Sequence, residues 1–170
     1  MVVGGAGYIG SHMAMMLHEN GYNPIVFDNL STGHADAVSF CELFVGDIRS
    51  QDDLDIFFSK YDIQVVIHFA ALAYVGESVV DPEKYYQNNV SGSINLLEVM
   101  RKHGLKNIVF SSSCATYGIP DELPLVESAR QIPINPYGQT KLIVENILKD
   151  YARAYHLNSI SLRYFNAAGC

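Results

Sequence analysis

Tyr137 and Lys141 are the side chains of this chain with the clearest chemical potential. They lie four residues apart, so a helix over this segment would place both on one face. The ammonium group of Lys141 favours the phenolate form of Tyr137, and the positively charged ring of an oxidised nicotinamide cofactor would favour it as well. Tyr137 is therefore a candidate general base. Ser113, at the end of a serine run, offers a hydroxyl that can steer a reacting alcohol toward the phenolic oxygen. Taken alone, the pair is also compatible with a helix-start aromatic residue and a solvated surface lysine.

A glycine-rich turn near the start of the chain predicts a site for a dinucleotide. Gly4, Gly7 and Gly10 follow a short apolar stretch and precede a segment of helical periodicity. Such a turn opens a helix whose N-terminus can hold a pyrophosphate. Asp28 ends the next apolar run, where a carboxylate can accept hydrogen bonds from ribose hydroxyls. The spacing by itself is also compatible with a turn that binds no ligand.

The distribution of basic residues favours NAD over NADP as the dinucleotide. Residues 1–48 contain no lysine or arginine, and Arg49 is the first. A 2′-phosphate beside Asp28 would be repelled and would find no cation among Asn29, Leu30 and Ser31. Asp47 and Ile48 suit an adenine site, although an ordinary turn after a strand explains them equally well.

Bulk composition excludes several classes of protein. The chain has 170 residues, a net charge of −7 and 49% hydrophobic residues, which indicates one domain and argues against a nucleic-acid partner. No apolar run approaches the roughly 20 residues that span a bilayer, and the start lacks the basic region of a signal peptide. Cys41, Cys114 and Cys170 are expected to be buried or free thiols and not a disulfide framework, which indicates the cytoplasm. The histidines show no zinc-ligand spacing, so we expect no metal site.

Apolar runs that alternate with amphipathic segments predict an α/β fold with a doubly wound parallel sheet. We expect the strand order 3-2-1-4-5-6, with the ligand at the carboxyl ends of the strands. The six predicted strands are Met1–Val3, Pro24–Asp28, Leu43–Val45, Val65–Phe69, Asn107–Phe110 and Ser159–Leu162.

Four helices are predicted from capping residues and apolar periodicity. The first is ended by Gly21, the second is capped by Ser50, the third runs from Asp81–Pro82 to Gly104, and the fourth is capped by Asn135. Residues 118–135, which contain three prolines, are expected to be a loop. The apolar stripes predicted for these helices are Ile9, Met13, Met16 and Leu17; Leu54, Phe57 and Phe58; Tyr86, Val90, Ile94 and Leu97; and Ile143, Ile147, Tyr151 and Ala154.

Nine motifs in one order carry a resemblance to a known family. They are Gly4–His12, Asp28–Gly33, Gly46–Arg49, His68–Ala71, Val75–Ser78, Asn88–Val90, Ser111–Ser113, the Tyr137/Lys141 pair and Arg163–Asn166. With them the chain resembles the extended short-chain dehydrogenase/reductase family, and most closely its UDP-hexose 4-epimerases. The resemblance implies a Rossmann-type NAD-binding domain over residues 1–170 of an enzyme that interconverts UDP-galactose and UDP-glucose. It also implies a homodimer in which the third and fourth helices pair across a two-fold axis.

The same resemblance implies individual roles. Tyr137 is the base, Lys141 is its electrostatic partner and a ribose ligand, and Ser113 orients the sugar. Phe165 is expected near the nicotinamide. The substrate-binding residues are Ser113, Tyr137, Tyr164 and Asn166. The implied NAD contacts are Gly4, Gly7, Tyr8, Ile9, Gly10, Asp28, Asn29, Leu30, Ser31, Thr32, Gly33, Asp47, Ile48, Phe69, Ala70, Ala71, Asn88, Tyr137, Lys141 and Phe165.

The chain departs from the family pattern in two ways. Many epimerases carry a cofactor-contacting lysine at the position of Ala73. Family members also continue into a smaller substrate domain, and they begin with a longer first strand. We therefore expect a partial enzyme of marginal stability that can depend on self-association.

Two other functions remain open at this point. One is a dinucleotide-binding module without catalysis. The other is a nucleotide-sugar 4,6-dehydratase, which needs an acid pair after the serine run. The segment Ser113–Thr116 contains no carboxylate, so the dehydratase is the weaker alternative.

Overall fold

Six parallel strands form one sheet in the order β3-β2-β1-β4-β5-β6, which confirms the predicted topology. The computed structural model describes residues 1–168, so Cys170 lies outside the described residues. Central β1 is only two residues long, but both are buried and pair with β2 and β4. The strands are β1 Val2–Val3, β2 Ile25–Asp28, β3 Glu42–Val45, β4 Val66–His68, β5 Asn107–Ser113 and β6 Asn158–Tyr164.

Helices cover both faces of this sheet. The α-helices are α1 Tyr8–Glu19, α2 Gln51–Lys60, α3 Val75–Val80, α4 Pro82–Tyr85, α5 Gly92–Lys102 and α6 Pro136–Tyr155. A π-helix, Tyr86–Ser91, joins α4 to α5. Residues 118–135 form neither helix nor strand, as predicted.

Local capping signals explain where two of the helices begin. The Ser50 side chain accepts a hydrogen bond from the backbone N–H of Asp53 at 3.2 Å. Asn135 Oδ1 accepts one from the N–H of Gly138 at 2.8 Å. Both bonds satisfy amide groups that have no partner within the helix. The Asn135 cap fixes the start of α6 and therefore the position of Tyr137 in its first turn.

The buried face of α6 differs from the predicted stripe. Ala154 is exposed, and Ile143, Ile147 and Tyr151 are only partly buried. The fully buried positions include polar residues that find partners in the interior, which an apolar pattern cannot reveal. The buried residues of α6 are Gly138, Thr140, Lys141, Val144, Glu145 and Leu148.

The other predicted stripes are partly wrong as well. In α1, Met16 is 61% exposed, and the helix buries Gly10 and Ala14 because small residues allow close approach to the sheet. In the third predicted helix Tyr86 is exposed, whereas Tyr85 and Asn89 are buried. The π-helix, which the sequence did not predict, changes the angular phase of the helix at this point.

Two apolar clusters fill the spaces on the two faces of the sheet, because successive strand residues point to opposite sides. Val3 and Phe27 belong to the larger cluster with Phe57, whereas Val2 and Val26 belong to the smaller one. Both faces of the sheet are therefore packed.

Candidate active site

A cavity of about 440 Å³ lies at the carboxyl ends of the strands. The glycine-rich turn forms one wall, and the start of α6 forms another. The ends of β2, β4, β5 and β6 complete it. This is the place where an open doubly wound sheet binds ligands.

The glycine-rich turn is packed so closely that side chains are excluded. Gly4 has a φ of 73°, and a Cβ there would lie 2.5 Å from the backbone nitrogen of Ala70. A Cβ on Gly10 would lie 2.2 Å from the carbonyl oxygen of Gly4. The start of α1 therefore approaches the cavity with bare backbone, a geometry suited to a phosphate group.

Asp28 braces this turn, a role that the sequence analysis did not assign. Its carboxylate accepts hydrogen bonds from the backbone N–H groups of Ala6 at 2.9 Å and of Leu30 at 2.8 Å. Asp28 is buried but lines the cavity. The carboxylate thus links the end of β2 to the glycine-rich turn.

Asp47 does not line the cavity, and its carboxylate is engaged by two other side chains. Arg49 donates to it through Nε at 3.0 Å and through Nη2 at 2.6 Å, and Asn29 donates at 3.0 Å. The Arg49 guanidinium holds the pKa of Asp47 well below its usual value. Ile48, the next residue, is buried and does line the cavity.

Most predicted site residues meet in this cavity. The exceptions are Leu30, Gly33, Asp47 and Asn166, which do not line it. The predicted residues that line it are Gly4, Gly7, Tyr8, Ile9, Gly10, Asp28, Asn29, Ser31, Thr32, Ile48, Phe69, Ala70, Ala71, Asn88, Ser113, Tyr137, Lys141, Tyr164 and Phe165. The lining residues not predicted are Phe27, Leu72, Ala73, Tyr74, Ser111, Ser112 and Ala167, several of which continue a predicted motif by one or two positions.

Lys141 lies beside Tyr137, as the spacing of four residues predicted, and it is buried, which the spacing did not predict. Its Nζ lies 5.9 Å from the centroid of the Tyr137 ring and donates to the backbone carbonyl of Ser111 at 2.7 Å. The residue is 3% exposed, and burial lowers its pKa to about 7. Lys141 is therefore a cation that can lose its proton near neutral pH.

The pKa of Tyr137 does not follow the sequence-based expectation. Burial raises the pKa of this phenol, a side-chain hydrogen bond with Ser113 lowers it, and the nearby Cys114 raises it further. The net shift is upward, so the expectation of a lowered pKa is wrong for the chain by itself. The contact with Ser113 is the interaction in this site that favours the phenolate.

A buried asparagine connects two walls of the cavity. Asn89 Oδ1 accepts from the backbone N–H of Leu72 at 2.8 Å, and its Nδ2 donates to the Leu72 carbonyl at 3.0 Å. The same Nδ2 donates to Thr140 Oγ1 at 3.2 Å. The segment after β4 is thereby fixed against α6, close to Tyr137.

His68 lies beneath this contact as a neutral buried ring. Its Nε2 donates to Ser93 Oγ at 2.9 Å, and that hydroxyl donates to the Asn89 carbonyl at 2.6 Å. Nδ1 has no hydrogen-bond partner within residues 1–168. Burial, with a smaller effect of the Lys141 charge, lowers the pKa of His68 to about 3.

Other kinds of site receive no support from the described part of the chain. Within residues 1–168 no group of three or more histidine, cysteine, aspartate or glutamate side chains is arranged to hold a metal ion. Cys41 and Cys114 are free thiols, as expected. No helix in the same range is long and apolar enough to cross a membrane.

The sequence of the chain also matches a known protein family. The model of the NAD dependent epimerase/dehydratase family matches residues 1–170. The chain belongs to this family. By its description this family depends on NAD.

The similar proteins include named UDP-glucose 4-epimerases. One from Rhizobium leguminosarum bv. trifolii is 53% identical over 169 residues, which are 99% of this chain and 52% of that protein. The crystal structure of UDP-glucose 4-epimerase from Brucella ovis in complex with NAD has a TM-score of 0.97 and 58% identity, and the match covers 99% of this chain and 52% of that one. The Bifidobacterium longum enzyme in complex with NAD+ and UDP has a TM-score of 0.93 and 39% identity, over 97% of this chain and 52% of that one. The chain thus spans about half the length of the relatives it matches.

Proposed function

We propose that this chain is the NAD-binding domain of a UDP-hexose 4-epimerase that interconverts UDP-galactose and UDP-glucose. The observation that carries the proposal is the meeting of Tyr137, Ser113 and Lys141 in one cavity with a glycine-rich turn. The names of the similar proteins support the choice of substrate. The proposed NAD-binding domain comprises residues 1–170.

The cavity suits NAD in shape and charge. Gly4, Gly7 and Gly10 line the cavity without side chains, so a pyrophosphate can reach the start of α1. Asp28 is the acidic group beside the expected ribose position. Arg49, the nearest cation in sequence, is paired with Asp47. A 2′-phosphate would therefore meet a carboxylate and no available cation, which favours NAD over NADP.

The protein supplies the proton transfer. NAD, when bound, supplies a hydride acceptor for the sugar C4 and a positive charge that favours the Tyr137 phenolate. Tyr137 takes the proton of the sugar 4-hydroxyl and later returns it to the same oxygen. Ser113 orients that hydroxyl, and Lys141 adds a positive charge beside the phenol. With NAD bound, return of the hydride to the opposite face of C4 would make the overall reaction redox-neutral.

A turnover assay with product identification tests this function. The protein with added NAD should convert UDP-galactose to UDP-glucose. Tyr137→Phe should lower kcat by at least about 10²-fold and leave the melting temperature and NAD binding nearly unchanged. Tyr155→Phe, at the exposed far end of α6, is the matched control and should keep full activity.

The same assay separates the alternatives. NAD binding without turnover would favour the non-catalytic dinucleotide-binding module. Release of a 4-keto-6-deoxy sugar would indicate the dehydratase, which the absence of a carboxylate in Ser113–Thr116 disfavours.

We also propose a cytoplasmic homodimer. Val79 and Val80, at the end of α3, and Tyr86, in the π-helix, are exposed apolar or aromatic residues, as at a surface between subunits. Free thiols at Cys41 and Cys114 fit a reducing compartment. Sedimentation equilibrium tests the dimer, and a monomer at micromolar concentration would contradict it.

A further inference from the structure

Glu145 is a buried carboxylate that the chemistry described above does not use. It is 2% exposed and accepts four hydrogen bonds from three residues. Arg163 donates through Nε at 2.9 Å and Nη2 at 2.7 Å, Ser112 Oγ donates at 2.5 Å, and Gln131 Nε2 donates at 3.0 Å. Both oxygens are therefore satisfied within the protein.

The partners of Glu145 are the immediate neighbours of site residues. Ser112 precedes Ser113 on β5, and Arg163 precedes Tyr164 on β6. The two strands pair Ser112 with Arg163 and Ser113 with Tyr164. Glu145 itself lies one helical turn after Lys141 on α6. The carboxylate thus joins α6, which carries Tyr137 and Lys141, to the strands that carry Ser113 and Tyr164.

The same network also anchors the segment of residues 118–135. Arg163 Nη1 donates to the Tyr117 hydroxyl at 2.6 Å and to the Glu127 carbonyl at 3.0 Å. Gln131 reaches Glu145 from the far end of this segment. The network around the Glu145–Arg163 ion pair therefore links the ends of β5 and β6 to the segment of residues 118–135.

Glu145 and Arg163 each favour the charged form of the other, which maintains the network. Burial by itself raises the pKa of Glu145, but hydrogen bonds from Arg163, Ser112 and Gln131 and the charge of Arg163 outweigh it, so the net pKa is lowered. The Glu145 carboxylate in turn raises the pKa of Arg163. A buried ion pair of this kind costs desolvation energy and is weak evidence for stability as such, but it specifies one geometry.

We propose that Glu145 and Arg163 are positioning residues that set the hydroxyl of Ser113 against Tyr137. Hydrogen bonds join α6 to the end of β5 at two levels, from Lys141 to the Ser111 carbonyl and from Ser112 to Glu145. Loss of the second removes the bond between α6 and the residue next to Ser113. The role in catalysis rests on the proposed epimerase function, whereas the effect on the contact between Ser113 and Tyr137 does not.

Carbon-13 NMR of the tyrosine Cζ atoms tests the contact without any turnover. The Tyr137 resonance is assigned by its loss in Tyr137→Phe, and Ser113→Ala gives its position when the contact is absent. Glu145→Gln should move the resonance most of the way to the Ser113→Ala position. Glu98→Gln is the matched control, because Glu98 also bonds to α6, through Tyr151, but far from the cavity. It should leave the resonance in place.

Kinetics extend the test to catalysis. If the parent protein turns over UDP-galactose, Glu145→Gln should lower kcat about tenfold with little change in KM, and Glu98→Gln should lower neither. Ser112→Ala, which removes one bond and leaves no unpaired charge, replaces Glu145→Gln if the latter does not fold. An unchanged Tyr137 resonance in the folded variant would overturn the proposal. A parent without turnover would overturn the proposed function and leave the NMR result to decide the positioning role.

Discussion

The Lys141 ammonium donates to the backbone carbonyl of Ser111, two residues before Ser113. A neutral carbonyl compensates only part of the hydration that a buried cation loses. The charge beside Tyr137 is consequently maintained at a cost in folding free energy, and this cost is visible in the lowered pKa of Lys141.

We expect Lys141→Met to stabilise the fold at neutral pH by roughly 1 to 3 kcal/mol. The unfolded chain holds the lysine proton up to a pKa of 10.5, whereas the folded chain releases it near 7. The wild-type penalty is therefore complete below pH 7 and shrinks as the pH rises toward 10.5. Urea unfolding at pH 7 and at about pH 9.5 should show a smaller advantage for the variant at the higher pH.

The control for this measurement is Lys149→Met, an exposed position on the same helix. It should change the free energy of unfolding little at either pH. An advantage of Lys141→Met that is constant with pH would argue against burial of the charge as its cause.

Gly10→Ala should damage both the fold and the cofactor site. The new Cβ would lie 2.2 Å from the Gly4 carbonyl oxygen and 2.7 Å from Gly5 Cα, and overpacking of this kind costs about 1 to 3 kcal/mol. Calorimetry with NAD should show weaker binding, because the turn must open. Gly76→Ala serves as the control, since a Cβ there meets nothing within 4 Å. Equal NAD affinity for Gly10→Ala and the parent would show that the turn does not contact the cofactor.

Asp28→Asn should narrow the preference for NAD over NADP. The amide still accepts one backbone hydrogen bond but no longer repels a 2′-phosphate, so we expect the ratio of the two dissociation constants to change by about tenfold. Affinity for NAD itself should fall, because Asp28 also holds the N–H groups of Ala6 and Leu30. Asp36→Asn, at an exposed position, should change neither affinity. A tighter NADP complex in the parent protein would refute the assignment of the ribose site.

His68 should make the protein sensitive to acid. The unfolded ring binds a proton below pH 6.5, whereas the folded ring stays neutral down to about pH 3. Stability from this group is therefore present above pH 6.5 and is lost as the pH falls through this window. His68→Gln should reduce the loss between pH 7 and about pH 4.5 by roughly 1 to 3 kcal/mol, measured as urea midpoints. His34→Gln, at an exposed position, should leave the loss as it is in the parent.

The parts of the fold that were predictable carry local signals. Ser50 and Asn135 mark helix starts because a short polar side chain at that position caps free amides, and both caps are present. The strand order follows from short apolar runs joined by right-handed crossovers. The cavity position follows in turn from the strand order, so Tyr137 and the glycine-rich turn were placed together correctly.

What the sequence did not reveal depends on contacts between distant residues. Glu145 and Lys141 are buried although their types indicate exposure, and only their partners on β5 and β6 explain this. The hydrogen bonds that Asp47 accepts from Arg49 and Asn29 were not predicted either, and its contact with adenine stays a prediction. Hydrophobic periodicity takes account of apolar side chains only. The stripe predicted for α6 therefore omitted Lys141 and Glu145, which are polar but buried.

The π-helix at Tyr86–Ser91 has the geometry of an α-helix with one residue inserted. Each residue of an α-helix turns the chain by about 100°, so this insertion rotates Asn88 and Asn89 relative to everything that follows in α5. A single-residue deletion here, which would disrupt most helices, should instead yield a regular one. The variant would gain a regular α-helix and lose the alignment that brings Asn89 to Leu72. The irregular helix therefore serves to direct the Asn89 side chain toward the segment after β4.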